Sequence, residues 1–172
     1  MAEAMKLGFE PGPAIPPVAE DTTYVPAGAV SIGVEYRVLT DEILANLEGI
    51  EVTDDPAFRG FNDEGTSLHV VDAASGAEHL RFDVFDDDPH YHYLDGRGGN
   101  RVVIYDVDGI GPMWEWALTC LRERLPAMLR QAGATELAEQ VDAAEVARAI
   151  PEIEKLARAA TDQHAAALEH SA

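Results

Sequence analysis

The 172-residue chain contains very little cysteine and few basic side chains. Cys120 is the only cysteine, so an intrachain disulfide is excluded and a reducing compartment is expected. Lysine and arginine number 12 against 32 aspartate and glutamate residues, which gives a formal net charge of −20. Because a surface of this sign repels nucleic acid and anionic membranes, neither is an expected partner. The acidity has two interpretations: it keeps the protein soluble, or it binds the positively charged surface of a protein partner.

Long apolar runs and the familiar catalytic motifs are also missing. No segment approaches the roughly 20 apolar residues of a membrane helix, and "MAEAMKLGFEPGP" lacks the apolar run of a secretory signal. We therefore expect a cytoplasmic protein without direct membrane insertion. The patterns GxGxxG, GxxxxGK[ST], CxxC, HExxH and GxSxG do not occur, which removes the main support for nucleotide-binding and common hydrolase functions.

Proline is concentrated near the N-terminus, where five of the ten prolines fall within the first 26 residues. Proline has no amide donor and restricts the residue before it, so residues 1–28 are predicted to form an extended arm. Two alternatives stay open for this arm. It is either a mobile tail, or it docks on its own domain or on a neighbour through apolar residues such as Phe9 and Ile15.

Residues 29–133 are predicted to form an α+β core domain, in which a small antiparallel β-meander is covered by helices. Apolar and polar residues alternate over residues 30–38, which is typical of a strand with one buried face. Residues 51–65 are predicted to be a polar loop. From Gly111 onward, apolar residues recur at three- and four-residue spacing and predict a helix that covers the sheet. Residues 134–172 are rich in alanine and predict a C-terminal helical appendage.

A hairpin is predicted over residues 66–85, with its turn near Ser75 and Gly76. In the expected register His69 faces Phe82 and Asp72 faces His79. That register assigns His69 to the apolar face, as a buried histidine satisfied by a hydrogen bond. It assigns Arg81 and Asp83 to a solvated face together with Asp72 and His79.

The run "FDVFDDDPHYHYLDG" from Phe82 to Gly96 is the main candidate for chemistry. On a strand, His90 and His92 project to the same side, about 6 to 7 Å apart at the backbone. Two imidazoles with a carboxylate can bind zinc, iron or copper, and Asp88 is the candidate third ligand, with Asp86 and Asp87 as alternatives. Two other interpretations are open: the four rings of residues 90–93 are amphipathic side chains packed on the sheet, or His90 or His92 senses protons.

Two functions follow from these patterns. The first is a non-catalytic acidic assembly or accessory protein that self-associates or scaffolds a larger complex through its arm and its C-terminal helices. The alternative is a small metal-binding protein or metal-dependent enzyme that uses the His-x-His strand. A divalent transition metal is the only cofactor that the sequence indicates, and no catalytic residue is identified beyond a general base among Asp86, Asp87 and Asp88.

Overall fold

A computed structural model describes residues 8–45 and 62–171. Six strands form one antiparallel sheet in chain order. They are β1 Thr23–Ala27, β2 Val30–Thr40, β3 Asn62–Asp72, β4 Glu78–Phe85, β5 His90–Leu94 and β6 Asn100–Ile104. The helices are α1 Asp41–Ala45, α2 Val107–Ile110, α3 Met113–Thr119, α4 Leu125–Gln131, α5 Thr135–Gln140 and α6 Ala143–His170, with a π-helical turn at Cys120–Arg124 between α3 and α4. The predicted α+β fold, a meander covered by helices, is confirmed.

The predicted polar loop lies partly outside the described residues, which resume at Asn62. From there the prediction is wrong, because β3 has already begun. Asn62 pairs with Thr40 and Gly65 with Arg37 on β2. The polar composition of residues 62–65 pointed to a loop, but backbone pairing with a long neighbouring strand outweighs that preference.

One face of the sheet is apolar and packs against the helices. Trp116 of α3 packs against this face, with the centroid of its ring 5.8 Å from that of Phe82, 5.0 Å from that of Tyr91 and 5.0 Å from that of Tyr105. The predicted apolar stripe is buried here, and α6 adds Val146, Ile150 and Ile153 to the same core. Among the described residues, no helix has the length and apolarity needed to cross a membrane.

The β3–β4 hairpin differs from the predicted register by one residue. A β-bulge between Val70 and Val71 shifts the pairing, so that His69 faces Arg81 and not Phe82. Because side chains alternate along a strand, this shift places the His69 side chain on the same face of the sheet as Arg81, opposite to the face that carries Phe82. The assignment of His69 to the apolar face was therefore wrong, and so was the solvated environment predicted for Arg81 and Asp83, which are both buried.

The second face of the sheet is crossed by residues 8–22 of the N-terminal arm. At the edge of the sheet the backbone of Phe9 pairs with Val102 through N–H to O distances of 2.9 and 2.8 Å. Further along, three side chains of the sheet donate to carbonyl oxygens of the arm: Asn100 to Gly12 at 2.9 Å, Arg81 to Ile15 at 2.7 Å and Arg37 to Pro16 at 3.1 Å. Residues 8–22 therefore dock on their own domain, which was one of the two alternatives for the arm.

Candidate metal centre

The arm-covered face carries charged side chains that are buried. The exposed fraction is 1% for Glu35, 4% for Arg37, 2% for Arg81 and 2% for Asp83, and His69 is fully buried. Burial of an unpaired charge is costly, so side chains in such positions need charged or hydrogen-bonding partners. The contacts of this face supply them.

His69 lies between two carboxylates. Its Nδ1 is 2.6 Å from Glu78 Oε1 and its Nε2 is 2.9 Å from Glu35 Oε2. Burial alone would lower the pKa of His69, but the hydrogen bonds to Glu35 and Glu78 outweigh it and raise the pKa. A ring that donates to a carboxylate from each nitrogen is an imidazolium. The sequence-based interpretation of His69 as a buried, hydrogen-bonded histidine is confirmed.

Glu78 joins His69 to Arg81. The Arg81 guanidinium binds Glu78 through two parallel contacts, Nε to Oε1 at 2.9 Å and Nη2 to Oε2 at 2.7 Å. Burial alone would raise the pKa of Glu78, but the hydrogen bonds from Arg81 and His69 lower it to about 2. Glu78 is therefore ionised throughout the physiological pH range.

The second cluster forms where β4 pairs with β5. Asp83 lies opposite His90 in the register, and Arg81 lies opposite His92. Asp83 Oδ2 is 2.9 Å from His92 Nε2 and 3.3 Å from His90 Nε2. One ligand atom from each of Asp83, His90 and His92 lies within 4.8 Å of the other two, which is the spacing of a metal-ligand set. We call these three residues the triad.

The triad contains two of the three predicted metal ligands. His90 and His92 lie on one face, as predicted, but Asp88 lies at the exposed turn before β5. There its N–H donates to Asp63 Oδ2 at 2.9 Å, and its backbone oxygen accepts from His90 Nδ1 at 2.6 Å. The carboxylate that faces both histidines belongs to Asp83.

Both histidine rings are held by oxygen atoms at Nδ1. His90 Nδ1 contacts the carbonyl oxygen of Asp88, and His92 Nδ1 is 2.7 Å from Asn100 Oδ1. The Asn100 amide orientation is fixed by its other end, because Nδ2 donates to the carbonyl of Gly12 at 2.9 Å. Since carbonyl oxygens only accept, each Nδ1 carries the proton and each Nε2 is directed toward Asp83.

Two charge states satisfy this arrangement. In a neutral ring with its proton on Nδ1, Nε2 presents a lone pair, which is repelled by the ionised Asp83 oxygen. Either a second proton on Nε2 or a cation between the ligands removes that repulsion. Ser67 Oγ donates to the other carboxylate oxygen, Oδ1, and leaves Oδ2 for the histidines. Each of the three side chains therefore has a partner that fixes its orientation, as is usual for metal ligands.

The charges of the triad favour an ionised carboxylate. Burial alone would raise the pKa of Asp83, but hydrogen bonds from His90 and His92 and the nearby Arg81 charge hold it well below its usual range. For His90, burial alone would lower the pKa, and the hydrogen bond and charge of Asp83 raise it. The carboxylate is thus ionised at neutral pH, and a cation that binds it has to displace the proton that His90 donates to it.

The triad is most accessible from the side of His90. The side chain of His90 is 15% exposed, compared with 8% for His92 and 3% for Asp83. Ile104 lies opposite His90 on the neighbouring strand and is 63% exposed. His90 is therefore the member of the triad with the most contact with solvent.

Two other side chains that could carry chemistry, His164 and Cys120, have contacts that are typical of a structural role. His164 Nε2 is 3.0 Å from Glu64 Oε2, and its ring stacks on Tyr36 with centroids 4.6 Å apart. Cys120 is buried, and desolvation raises the pKa of its thiol to about 11, in agreement with a packed thiol and not a nucleophile.

Comparison with known proteins gives a family but no activity. The family described as Domain of unknown function (DUF7700) matches the chain over residues 24–157, which include all three residues of the triad. Residues 8–22 of the arm precede the matched region. No curated protein and no solved structure matches the chain.

Proposed function

The chain belongs to the DUF7700 family, and since that family's description gives no activity, we propose from the geometry of the triad that the protein binds a divalent transition-metal ion. The ligands are Asp83 Oδ2, His90 Nε2 and His92 Nε2. This proposal takes up the metal-binding alternative predicted from the sequence and replaces Asp88 by Asp83 as the third ligand.

One observation carries the proposal. Both Nε2 atoms are directed at the same carboxylate oxygen while both Nδ1 atoms donate to fixed carbonyl oxygens. Metal-binding histidines regularly donate their other N–H to a carbonyl or carboxylate, and both Nδ1 atoms do so here. The burial of Asp83 and His92 and the partial exposure of His90 fit the same role.

The donor set indicates the class of metal. Imidazole nitrogen suits zinc, iron and copper, and a single carboxylate with two histidines is the ligand set of non-haem iron(II) sites and of catalytic zinc sites. Three protein ligands leave coordination positions for water or a small ligand. A bound ion would act as a Lewis acid on whatever occupies them.

Metal analysis tests the proposal. The full chain, purified without an affinity tag, is dialysed against zinc, iron(II) or copper(II), and bound metal is measured per chain. We expect about one equivalent in the wild type and a loss of binding in the His90→Ala/His92→Ala variant.

The matched control is His164→Ala/His170→Ala, which removes two histidines that lie outside the triad. This control is expected to retain the wild-type metal content. If the His90→Ala/His92→Ala variant binds as much metal as the wild type and the control, the proposal is wrong.

The assembly role predicted from the arm and the C-terminal helices stays a prediction. The described contacts of residues 8–22 that are given above fall on the sheet of the same chain. Light scattering of the full chain over a range of concentrations tests this role. A monomer at every concentration, with no protein copurifying, would count against it.

A further inference from the structure

Asn100 is shared by the triad and the N-terminal arm. Its side chain is buried, with the residue only 7% exposed, and both ends of its amide are used. Oδ1 accepts from His92 Nδ1 at 2.7 Å, and Nδ2 donates to the carbonyl oxygen of Gly12 at 2.9 Å. The amide cannot rotate to serve one partner without losing the other.

The arm contacts a second neighbour of His92. Arg81 lies directly opposite His92 in the β4–β5 register, and its Nη1 donates to the carbonyl oxygen of Ile15 at 2.7 Å. The arm backbone therefore binds side chains on both sides of His92. Displacement of the arm would release Asn100 and Arg81 from these contacts and leave the His92 ring without a fixed acceptor.

We infer that arm docking and metal binding at the triad are coupled through Asn100. A docked arm orients the Asn100 amide, the amide orients His92, and His92 presents Nε2 to the metal. In the opposite direction, a bound metal fixes His92 and so favours the docked arm. Asn100 is a positioning residue in this scheme. The inference rests on the proposed metal site and adds regulation of that site by the arm.

The expected change in metal affinity follows from the role of groups that, like Asn100, orient a metal-binding histidine. Loss of the group that orients a metal-binding histidine lowers metal affinity by about 10- to 100-fold. Because binding coupling is reciprocal, metal binding must favour the docked arm by the same factor by which docking favours metal. An effect of about tenfold is therefore expected in both directions.

Amide hydrogen exchange in the wild-type chain measures the effect of metal binding on arm docking. Phe9 N–H is bonded to the carbonyl of Val102 and Val18 N–H to Glu35 Oε1, so both report on the docked arm. We expect saturating zinc to slow exchange at Phe9 and Val18 by about tenfold. In an Asn100→Asp variant, measured at its own saturating zinc concentration, the acceptor for His92 remains but the donor to Gly12 is lost. Zinc should then no longer slow exchange in the arm.

A zinc titration of a second variant measures the effect of arm docking on metal binding. Gly8 has a φ of +85°, and a Cβ added there would lie 2.1 Å from the carbonyl oxygen of Val102. Gly8→Ala therefore loosens the arm at the sheet edge while all three ligands stay intact, and its zinc Kd should rise by about tenfold. Gly76→Ala is the matched control, because Gly76 has a φ of +74° in the β3–β4 turn with no atom within 4 Å of an added Cβ. Its zinc Kd should equal that of the wild type.

The outcomes separate the inference from the proposal on which it rests. Zinc binding to the wild type with unchanged exchange at Phe9 and Val18 overturns the coupling and leaves the metal site standing. Failure of the wild type to bind metal removes the site itself. Undiminished protection of the arm in Asn100→Asp excludes Asn100 as the link. The wild-type exchange experiment decides the question even if Gly8→Ala does not fold.

Discussion

Replacing His69 by phenylalanine is the most direct test of the buried charge network. His69 is fully buried, and its two ring nitrogens lie 2.6 and 2.9 Å from the carboxylates of Glu78 and Glu35. Phenylalanine fills a similar volume but donates no hydrogen bond, so both carboxylates lose a charged partner. Removal of one member of a buried ion pair costs about 3 to 5 kcal/mol. We expect His69→Phe to lower the free energy of unfolding by that amount at pH 7.

The substitution should also change the pH dependence of stability. The pKa of His69 is raised in the folded protein above its ordinary value of 6.5. A raised histidine pKa contributes stability that is fully present below the unfolded pKa and is lost as the pH rises through the folded pKa. Above pH 6.5 the wild-type free energy of unfolding should therefore fall more steeply than that of His69→Phe, by up to about 1.4 kcal/mol per pH unit.

Urea denaturation of the two proteins between pH 6.5 and 9, in the presence of a chelator, measures both effects. The chelator removes any contribution of metal binding, and the His90 titration is common to both proteins and cancels in the difference. A stability loss below about 1 kcal/mol, or parallel pH profiles, would refute the assignment of His69 as a buried imidazolium.

Three further predictions concern other parts of the molecule. Ser67→Ala removes the hydroxyl that holds Asp83 and should raise the zinc Kd about tenfold in a calorimetric titration, so an unchanged Kd would contradict the orienting role. The thiol of Cys120, with a pKa of about 11, should react with a thiol reagent at pH 8 only after unfolding, and rapid labelling of the native protein would contradict its burial. Trp116→Ala should lower the free energy of unfolding by about 3 kcal/mol in urea, and a loss of less than about 0.5 kcal/mol, the size usual for exposed sites, would contradict the packing of this ring against the core.

The sequence predicted the strands and helices well because their periodicity is strong. The alternation over residues 30–38 and the apolar stripe after Gly111 are both found in the sheet and in the helices that cover it. The same-face arrangement of His90 and His92 also follows from strand geometry alone. These features depend on residues that are close together in the chain, so they can be predicted from one sequence.

The carboxylate that contacts both histidines was missed because it lies across a turn from them in the sequence. Pairing across the turn at residues 86–89 places Asp83 opposite His90, so an explicit register for β4 and β5 would have identified it. The one-residue shift at the Val70 bulge reversed the face assigned to His69, and the polar face was taken to be solvated. Nothing in the alternation of polar residues shows that the arm covers that face, because its contacts join residues far apart in the chain.

The distance along the chain between the arm and its partners has a consequence for the order of folding. Gly12 and Asn100 are 88 residues apart, whereas each strand of the sheet pairs with the next strand in sequence. Contacts between sequence neighbours form early, and contacts over long separations form late. The arm residues are translated before any of their partners on β4 and β6, and we expect them to dock after the meander has formed. Until then the charged face remains hydrated, so its ion pairs reach their dry, native environment only in the last step of folding.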